Sequence, residues 1–427
     1  MFARARARTN PCRLYIGVQA VDSFLVSTAY TTAIVYRVRS GHLNALDLIL
    51  LGTLVEVSYF VVQLPTGVLA DRVSRRMCVI AGVLLSAAGF VMQGLSARFA
   101  VQLTAQIPIG VGAALGFGAQ EAWLADESGS AELTSVFLRA TQLGLAGGLI
   151  GSVLAGVLPI GGLDTAFLIS GGLMGVMGLV LTCVMPETRF RPGRAPRLGG
   201  VVRDTWSEFS GQVGKTGRAM IAVPGLVLLL GMVFFVGMWS EGFDRLWGAY
   251  LLKDIRFPHV GLSTTLWFSA FAVVSALLSL GSTHWANRRT KRLGPGSVVS
   301  TLVALTVATG LAVTVMASSG LFAVAVVAYL VVATMRPVFS PLITGWVVAR
   351  VDSGIRATAL SATDMFDSGG QIAGGPLIGA IGVLASIRAA LLASAVALVP
   401  AVAFLLAATR KLRAHAATAS EPAQVAD

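Results

Sequence analysis

Apolar residues fill this chain in long unbroken runs, without the alternation of a half-buried strand. Runs bounded by charges, prolines or turn residues predict twelve helices, near 14–36, 46–70, 77–96, 99–121, 136–158, 164–185, 222–251, 260–282, 296–317, 321–348, 358–382 and 387–408. Each is close to the ~20 residues that cross a bilayer core, and they are numbered spans 1 to 12 in chain order. The fold class they predict is an all-α membrane protein. Polar interruptions are few and patterned. In span 1, Gln19, Asp22, Ser23, Ser27 and Tyr30 recur at three-to-four spacing, a stripe along one helix face that would line a cavity.

The pattern repeats. Leu138, Ala140, Thr141, Gly147, Gly148 and Ile150 in span 5 return at a constant offset as Leu360, Ala362, Thr363, Gly369, Gly370 and Ile372 in span 11. Trp123 at the end of span 4 finds Trp346 at the end of span 10, and LADRVSRR after span 2 has a degenerate echo in WANRRTKR after span 8, with Asn287 standing where Asp71 stands. Six spans plus six follow, in a pseudo-symmetric pair of bundles. The expected division is 1–185 for the first bundle, 186–220 for a cytoplasmic linker rich in Pro and Arg, 221–410 for the second bundle and 411–427 for a disordered cytoplasmic tail.

Composition agrees: 55% of residues are hydrophobic and 12% charged, far from the roughly quarter-charged makeup of a soluble domain. The net charge of +12 gains meaning from its placement. If residue 1 is cytoplasmic, the even-numbered connections are too, and they hold Arg72, Arg75, Arg76, Arg288, Arg289, Lys291 and most cations of the linker. That is the positive-inside pattern, so both termini are expected in the cytoplasm of a bacterial cell, with anionic lipid at the basic face. No aromatic interleaving or nucleic-acid module accompanies the basic segments, which argues against nucleic acid as a partner. RARAR before span 1 resembles a signal peptide, but the apolar segment is too long, carries Asp22 and has no clear cleavage site. Cys12, Cys78 and Cys183 all fall at cytoplasmic ends, where thiols stay reduced.

The turn between spans 2 and 3 holds the most specific motif. Gly67, Leu69, Ala70, Asp71, Arg72, Arg75 and Arg76 resemble the loop signature of the major facilitator superfamily, with Ser74 in place of the usual second glycine. The resemblance covers about residues 12–410 and implies two six-helix bundles around a cavity that opens alternately to each side. It also implies that Asp71 meets the start of span 11, near Arg356 to Leu360, where a carboxylate against helix N-terminal amides would latch one state. Glu121, Asp126 and Glu127, after span 4, are expected as gate contacts to the arginines of that turn. Gly374-Gly375-Pro376 resembles part of the glycine-proline signature of drug and proton antiporters, although in span 5, where the signature is diagnostic, Gly148 occupies the proline position. In span 4, Gln106 and Ile109 stand where the family often has Arg and Gln, leaving Gly110 as the match. The glycine clusters of spans 5 and 11 are close-approach surfaces between helices.

Charges inside the spans are site candidates, since each costs ~2.5 to 3.5 kcal/mol on insertion scales. Asp22 lies about nine residues beyond Arg13, ~13 Å along the helix, and Glu56 sits at the same distance after Asp47. A desolvated carboxylate at that depth is a candidate to take up and release the coupled proton; the alternative is a structural acid held by hydrogen bonds. Span 7 offers Trp239, Glu241 and Asp244. The repeat offset lays Asp244 on Asp22 and Glu241 on Gln19, whereas counting from Pro224 puts Asp244 near the outer surface, paired with Arg245. Aromatics and acids together suit a large amphipathic or cationic ligand. Arg336, before Pro337 in span 10, falls at similar depth to Asp367 in span 11, so an ion pair between them is expected either as a moving or as a permanent contact. Proton-coupling candidates are thus Asp22, Glu56, Asp244 and Asp367. Cavity candidates are Gln19, Ser23, Tyr30, Gln106, Trp239, Glu241 and Arg336, and the gating loop comprises Gly67, Asp71, Arg72, Arg75 and Arg76.

Gly214-Lys215-Thr216 resembles a phosphate loop, but Phe209 occupies the required first glycine and no buried strand precedes it. The four histidines lack metal-ligand spacing, so neither an enzyme nor a cofactor or metal site is expected. The expected function is secondary active transport, coupled to protons, exporting drugs or other small amphipathic molecules. Uptake or exchange of a metabolite is the alternative, and a non-transporting sensor or scaffold of the same fold is the rival from another class.

Overall fold

The computed structural model describes residues 9–116, 118–128, 133–157, 162–190, 223–293 and 297–420. Most of the expected linker, including Gly214-Lys215-Thr216, lies outside the described residues, as do the side chains of Gly67, Asp71, Arg72 and Asn287. Every regular element among the described residues is helical. Among the described residues, ten helices are long and apolar enough to cross a membrane by length and composition. The two remaining long helices are span 1, Pro11–Arg39, and span 11, Ser353–Leu384, whose runs are the ones most interrupted by polar residues.

Helix ends follow local chemistry. Asn10 caps span 1 by accepting from the Arg13 amide, with Pro11 in the first turn, where a missing N–H costs nothing. Asn44 and Asp47 form a reciprocal capping box at the start of span 2. Ser74 accepts from the Met77 amide at 3.0 Å and so caps span 3, Arg75–Leu95, a task the glycine usual at that position has no side chain to perform.

Spans 4 and 10 are broken where proline forbids a continuous ladder. Span 4 comprises Phe99–Thr104, Gln106–Gly116 and Ala119–Ser128; Pro108 cannot donate to the Thr104 carbonyl, and the first break falls there. Gly118, at φ 72°, adjoins the second. Span 10 comprises Phe322–Met335, a 3-10 turn over Arg336–Val338, and Phe339–Arg350. Pro337 frees carbonyls of the preceding turn, and span 8 satisfies them. Ser279 Oγ donates to Ala333 O at 3.4 Å and Ser282 Oγ to Thr334 O at 2.6 Å. Inside a bilayer that replacement is required, since no water is present to make it.

Two compact units emerge, Met1–Ser207 with His259–Val273, and Glu208–Pro258 with Val274–Asp427. Their internal packing is alike. Span 1 packs chiefly on span 5 and span 3 on span 6 in the first; span 7 packs on span 11 and span 9 on span 12 in the second. Both units present apolar side chains outward, such as Leu173, Val176 and Leu179 of span 6 and Val396 and Val399 of span 12, as a lipid-facing surface must. One expectation fails at the C-terminus. Span 12 continues as a helix, Ile387–Ser420, through residues 411–420 of the segment expected to be disordered, because that stretch is rich in alanine, the strongest helix former; residues 421–427 lie outside the described residues.

Candidate functional site

The second unit brings its charged residues together at the break in span 10. Arg336 opens the 3-10 turn, and its Nη1 donates to Asp244 Oδ1 of span 7. Glu241, one turn earlier and 1% exposed, accepts from Arg245 Nε at 3.1 Å. Asp367 of span 11 accepts from Gln371 Nε2 at 2.8 Å. These pairings correct two expectations: Arg336 engages Asp244 instead of Asp367, and Arg245 engages Glu241 instead of Asp244. The reason is azimuth. Depth counted from helix ends places residues at a level, and the 3-10 turn sets which neighbour the guanidinium faces.

Beside this network lies a cavity of about 210 Å³. Trp239, Ser240, Arg336, Thr363, Asp364 and Asp367 line it together with apolar side chains. Asp364 is exposed and has no hydrogen-bond or ion-pair partner among the described residues. Trp239 is 1% exposed, and its indole N–H has no acceptor among the described residues. A column of rings rises from it: Trp239 stacks on Phe243 at 5.7 Å, Phe243 on Tyr329 at 6.4 Å and Tyr329 on Trp247 at 4.0 Å. Arg336 lies 6.0 Å above the Trp239 ring. Tyr329, Asp364 and Gln371 were not among the candidates read from sequence, and of these only Asp364, an in-span charge, offered a clear signal.

Glycine contacts correct the expected match of Asp244 to Asp22. A Cβ on Gly147 or Gly151 would strike the carbonyls of Ala20 and Phe24 in span 1. In the second unit, a Cβ on Gly370 would strike the Phe234 carbonyl, and one on Gly374 would strike Met238 of span 7. The same contact pattern sets Phe234 and Met238 level with Ala20 and Phe24, so Asp22 corresponds to the neighbourhood of Val236. Asp244 lies about eight residues further out, ~12 Å along the helix, and Glu241 likewise does not match Gln19. The two halves carry their acids at different levels.

In the first unit, Asp22 is half-buried and has no hydrogen-bond or ion-pair partner among the described residues. Gln19 Nε2 donates to Tyr15 Oη at 3.4 Å, and Ser23 lies against Gly144. Tyr30, 37% exposed, meets Phe90 edge to face at 5.6 Å. Glu56 is half-buried in span 2. Gln106 departs from its expected place on a cavity wall: it is 2% exposed and donates to the Gln102 carbonyl at 2.7 Å. It belongs to a packed polar cluster in which buried Arg37 donates to Gln93 Oε1 at 2.6 Å and Gln102 Nε2 donates to the carbonyls of Gln93 and Ser96.

At the turn between spans 2 and 3, Arg75 pairs with Asp126 and donates to the Ala122 carbonyl at 2.9 Å. Arg76 Nη2 donates to Thr182 O at 2.6 Å. Glu127 turns away from the arginine side chains of the turn and accepts from the amides of Thr188 and Arg189. Glu187, missed in the sequence, accepts from Ser74 Oγ at 2.6 Å and the Arg76 amide at 3.0 Å. These contacts fasten the turn to span 4 and to the segment after span 6.

The sequence profile of the Major Facilitator Superfamily matches residues 16–304. Similar solved structures include the nucleoside transporter NupG, at TM-score 0.72 and 12% identity over 93% of this chain and 99% of that one. A bacterial homologue of the human lysosomal transporter Spinster, inward-facing and unoccupied, gives TM-score 0.70 and 16% identity over 94% and 98%. A POT family transporter in complex with 5-aminolevulinic acid gives 0.72 and 14% over 93% and 96%. No curated protein sequence matches the chain.

Proposed function

Because the chain belongs to the major facilitator superfamily, we propose that it is a secondary active transporter that couples proton movement to export of small amphipathic molecules by alternating access, in a bacterial plasma membrane with both termini cytoplasmic. The observation that supports coupling most directly is Asp22. It is a carboxylate in the middle third of span 1, on the polar face, with no partner among the described residues. An acid kept at that depth without a stabilising cation is costly, and a cycle of protonation gives it a use. Glu56 is the second candidate. Asp244 is spoken for by Arg336 and serves positioning in this reading.

Metabolite transport is the second reading, favoured by the cargo named for the similar structures: nucleosides, and 5-aminolevulinic acid held by a POT family protein.

Proteoliposomes with an imposed pH gradient test the proposal. Asp22→Asn and Glu56→Gln are compared with the parent for exchange across the membrane and for uphill accumulation. The variant of the coupling residue retains exchange and loses accumulation. Full uphill transport in both variants, with an unchanged pH profile, removes both residues from coupling and moves the search to Asp367.

A further inference from the structure

Span 9, Ser297–Ser318, and span 12, Ile387–Ser420, pack on each other within the second unit, and a groove of about 600 Å³ runs between them. Its lining is apolar apart from Thr306 and Thr314. Thr306 Oγ1 donates to Leu302 O and Thr314 Oγ1 to Gly310 O, each at 2.8 Å, so neither hydroxyl has a proton to give an occupant. From Leu392 to Leu406 the span 12 wall extends ~21 Å at helical rise, deeper than half of the ~30 Å hydrocarbon core. Its rims are open, with Val399 65% and Leu311 62% exposed.

Gly310, on the floor, shows that helix packing does not impose the hollow. Gly147 and Gly370 admit no Cβ because a carbonyl of the neighbouring helix stands in the way, whereas a Cβ on Gly310 would lie 3.6 Å from Leu398 Cδ1 and 4.0 Å from the Ala395 carbonyl. Those are ordinary contact distances. Spans 9 and 12 would pack as closely with the floor filled, and an unfilled hollow forfeits dispersion contacts.

Charge distinguishes the two ends. Leu392, Ala395, Val399, Ala403 and Leu406 recur at three-to-four spacing on span 12, and the same face continues to Arg388 at one end and Arg410 at the other. Arg388 pairs with Asp254 at 3.4 Å and lies over the Tyr250 ring. Arg410 and Lys411, where the apolar run of span 12 ends, are exposed and have no ion-pair or side-chain hydrogen-bond partner among the described residues. An apolar channel in line with an unneutralised cation at headgroup level complements an anionic amphiphile. A second copy of the chain suits it less well. Copies inserted in the same orientation are related about the membrane normal, so a symmetric contact through this groove sets one Arg410 level with the other, and like charges repel.

We propose that the groove between spans 9 and 12 binds an anionic phospholipid from the leaflet at the Arg410 end: one acyl chain lies over Gly310 and the phosphate pairs with Arg410, with the charge of Lys411 beside it. The site requires that the chain span a bilayer and is independent of which solute is moved or how movement is coupled.

Dioleoyl phosphatidylglycerol and dioleoyl phosphatidylcholine share their chains and differ in net charge. Each is titrated into delipidated full-length protein in detergent, and bound lipid is counted by native mass spectrometry. Phosphatidylglycerol is expected to be retained more tightly. Arg410→Gln weakens it about fivefold, the equivalent of ~1 kcal/mol for one basic residue near anionic lipid, and leaves phosphatidylcholine unchanged. Gly310→Leu, whose Cβ meets no clash, weakens both lipids by filling the floor. In the parent protein, phosphatidylglycerol with a diazirine on its acyl chain crosslinks to residues 306–314 and 392–406. Crosslinks spread evenly over other lipid-facing helices, such as residues 173–179 of span 6, overturn the site without any variant having to fold. Equal retention of the two lipids by the parent also overturns it. Sensitivity to Arg410→Gln with none to Gly310→Leu would leave a surface attraction and remove the groove, and lipid-free dimers that Gly310→Leu dissociates would assign the groove to a second copy instead.

Discussion

Asp244 and Arg336 stand 92 positions apart and meet because Pro337 interrupts span 10 at that level. The side chains are 32% and 41% exposed, so solvent screening reduces the pair's strength, and Asp367 remains within electrostatic reach of the guanidinium. Loss of Asp244 is therefore expected to be only partly compensated. In a double-mutant cycle of Asp244→Asn and Arg336→Gln, followed by thermal unfolding in detergent, the double variant is less destabilised than the two single effects combined. The expected coupling is roughly 0.5 to 3 kcal/mol, and additivity within experimental error would show that the pair does not hold span 7 to span 10. The same residues mark how far a sequence can be read. Arg336, Asp244, Glu241 and Asp367 stand out as charges within apolar runs, and their burden in a membrane identifies them one at a time. Their pairing depends on helix rotation at a proline break, and rotation leaves no trace in depth counted from span ends. Trp239 is legible as an aromatic; its unmet N–H emerges only from the packing around it.

Glycine spacing carries the helix-to-helix register. Gly370 has the Phe234 carbonyl where its Cβ would be, so a larger residue forces spans 7 and 11 apart. Gly370→Val is expected to lower stability by about 1 to 3 kcal/mol, the usual cost of overpacking. Gly281, also helical, has nothing within 4 Å of an added Cβ, and Gly281→Ala is expected to be neutral or to stabilise by ~0.4 to 1 kcal/mol through the unfolded chain. Thermal shifts of the purified variants make the comparison, and equal loss in both would mean that helix propensity, not close approach, governs these positions. The span 5 and 11 glycines announced their role in the sequence because the repeat preserved them. Span 7 shares no such string with span 1, and carrying the offset of spans 5 and 11 over to it led to the wrong register. Ser74 shows the opposite situation: it departs from the loop signature in sequence, and its hydroxyl proves to cap span 3 while donating to Glu187.

For the whole molecule, the repeat organises packing more faithfully than chemistry. Trp123 and Trp346 are both buried, but Trp123 donates to the Pro186 carbonyl at 2.6 Å while Trp346 has no acceptor among the described residues and instead lies under Arg350 at 4.8 Å. Two halves with one helix plan have different polar contacts at these matched positions. Orientation rests on a separate argument. Arg75 and Arg76 each use their side chains on acceptors at one end of the first unit, and the sequence that follows Phe190 holds further cations. Moving so many charges across a bilayer opposes the reverse topology. A reporter active only in the cytoplasm, fused after Arg413, is therefore expected to be active, and one active only after export is expected to work at the 159–163 connection. With six spans between the bundle start and Pro186, and six after it, these two sites must fall on opposite sides. Activity of both reporters supports twelve crossings with cytoplasmic ends, and silence of either, in a fusion that is made and inserted, rejects that topology and with it the assignment of the Arg75 and Arg76 turn to the cytoplasmic face.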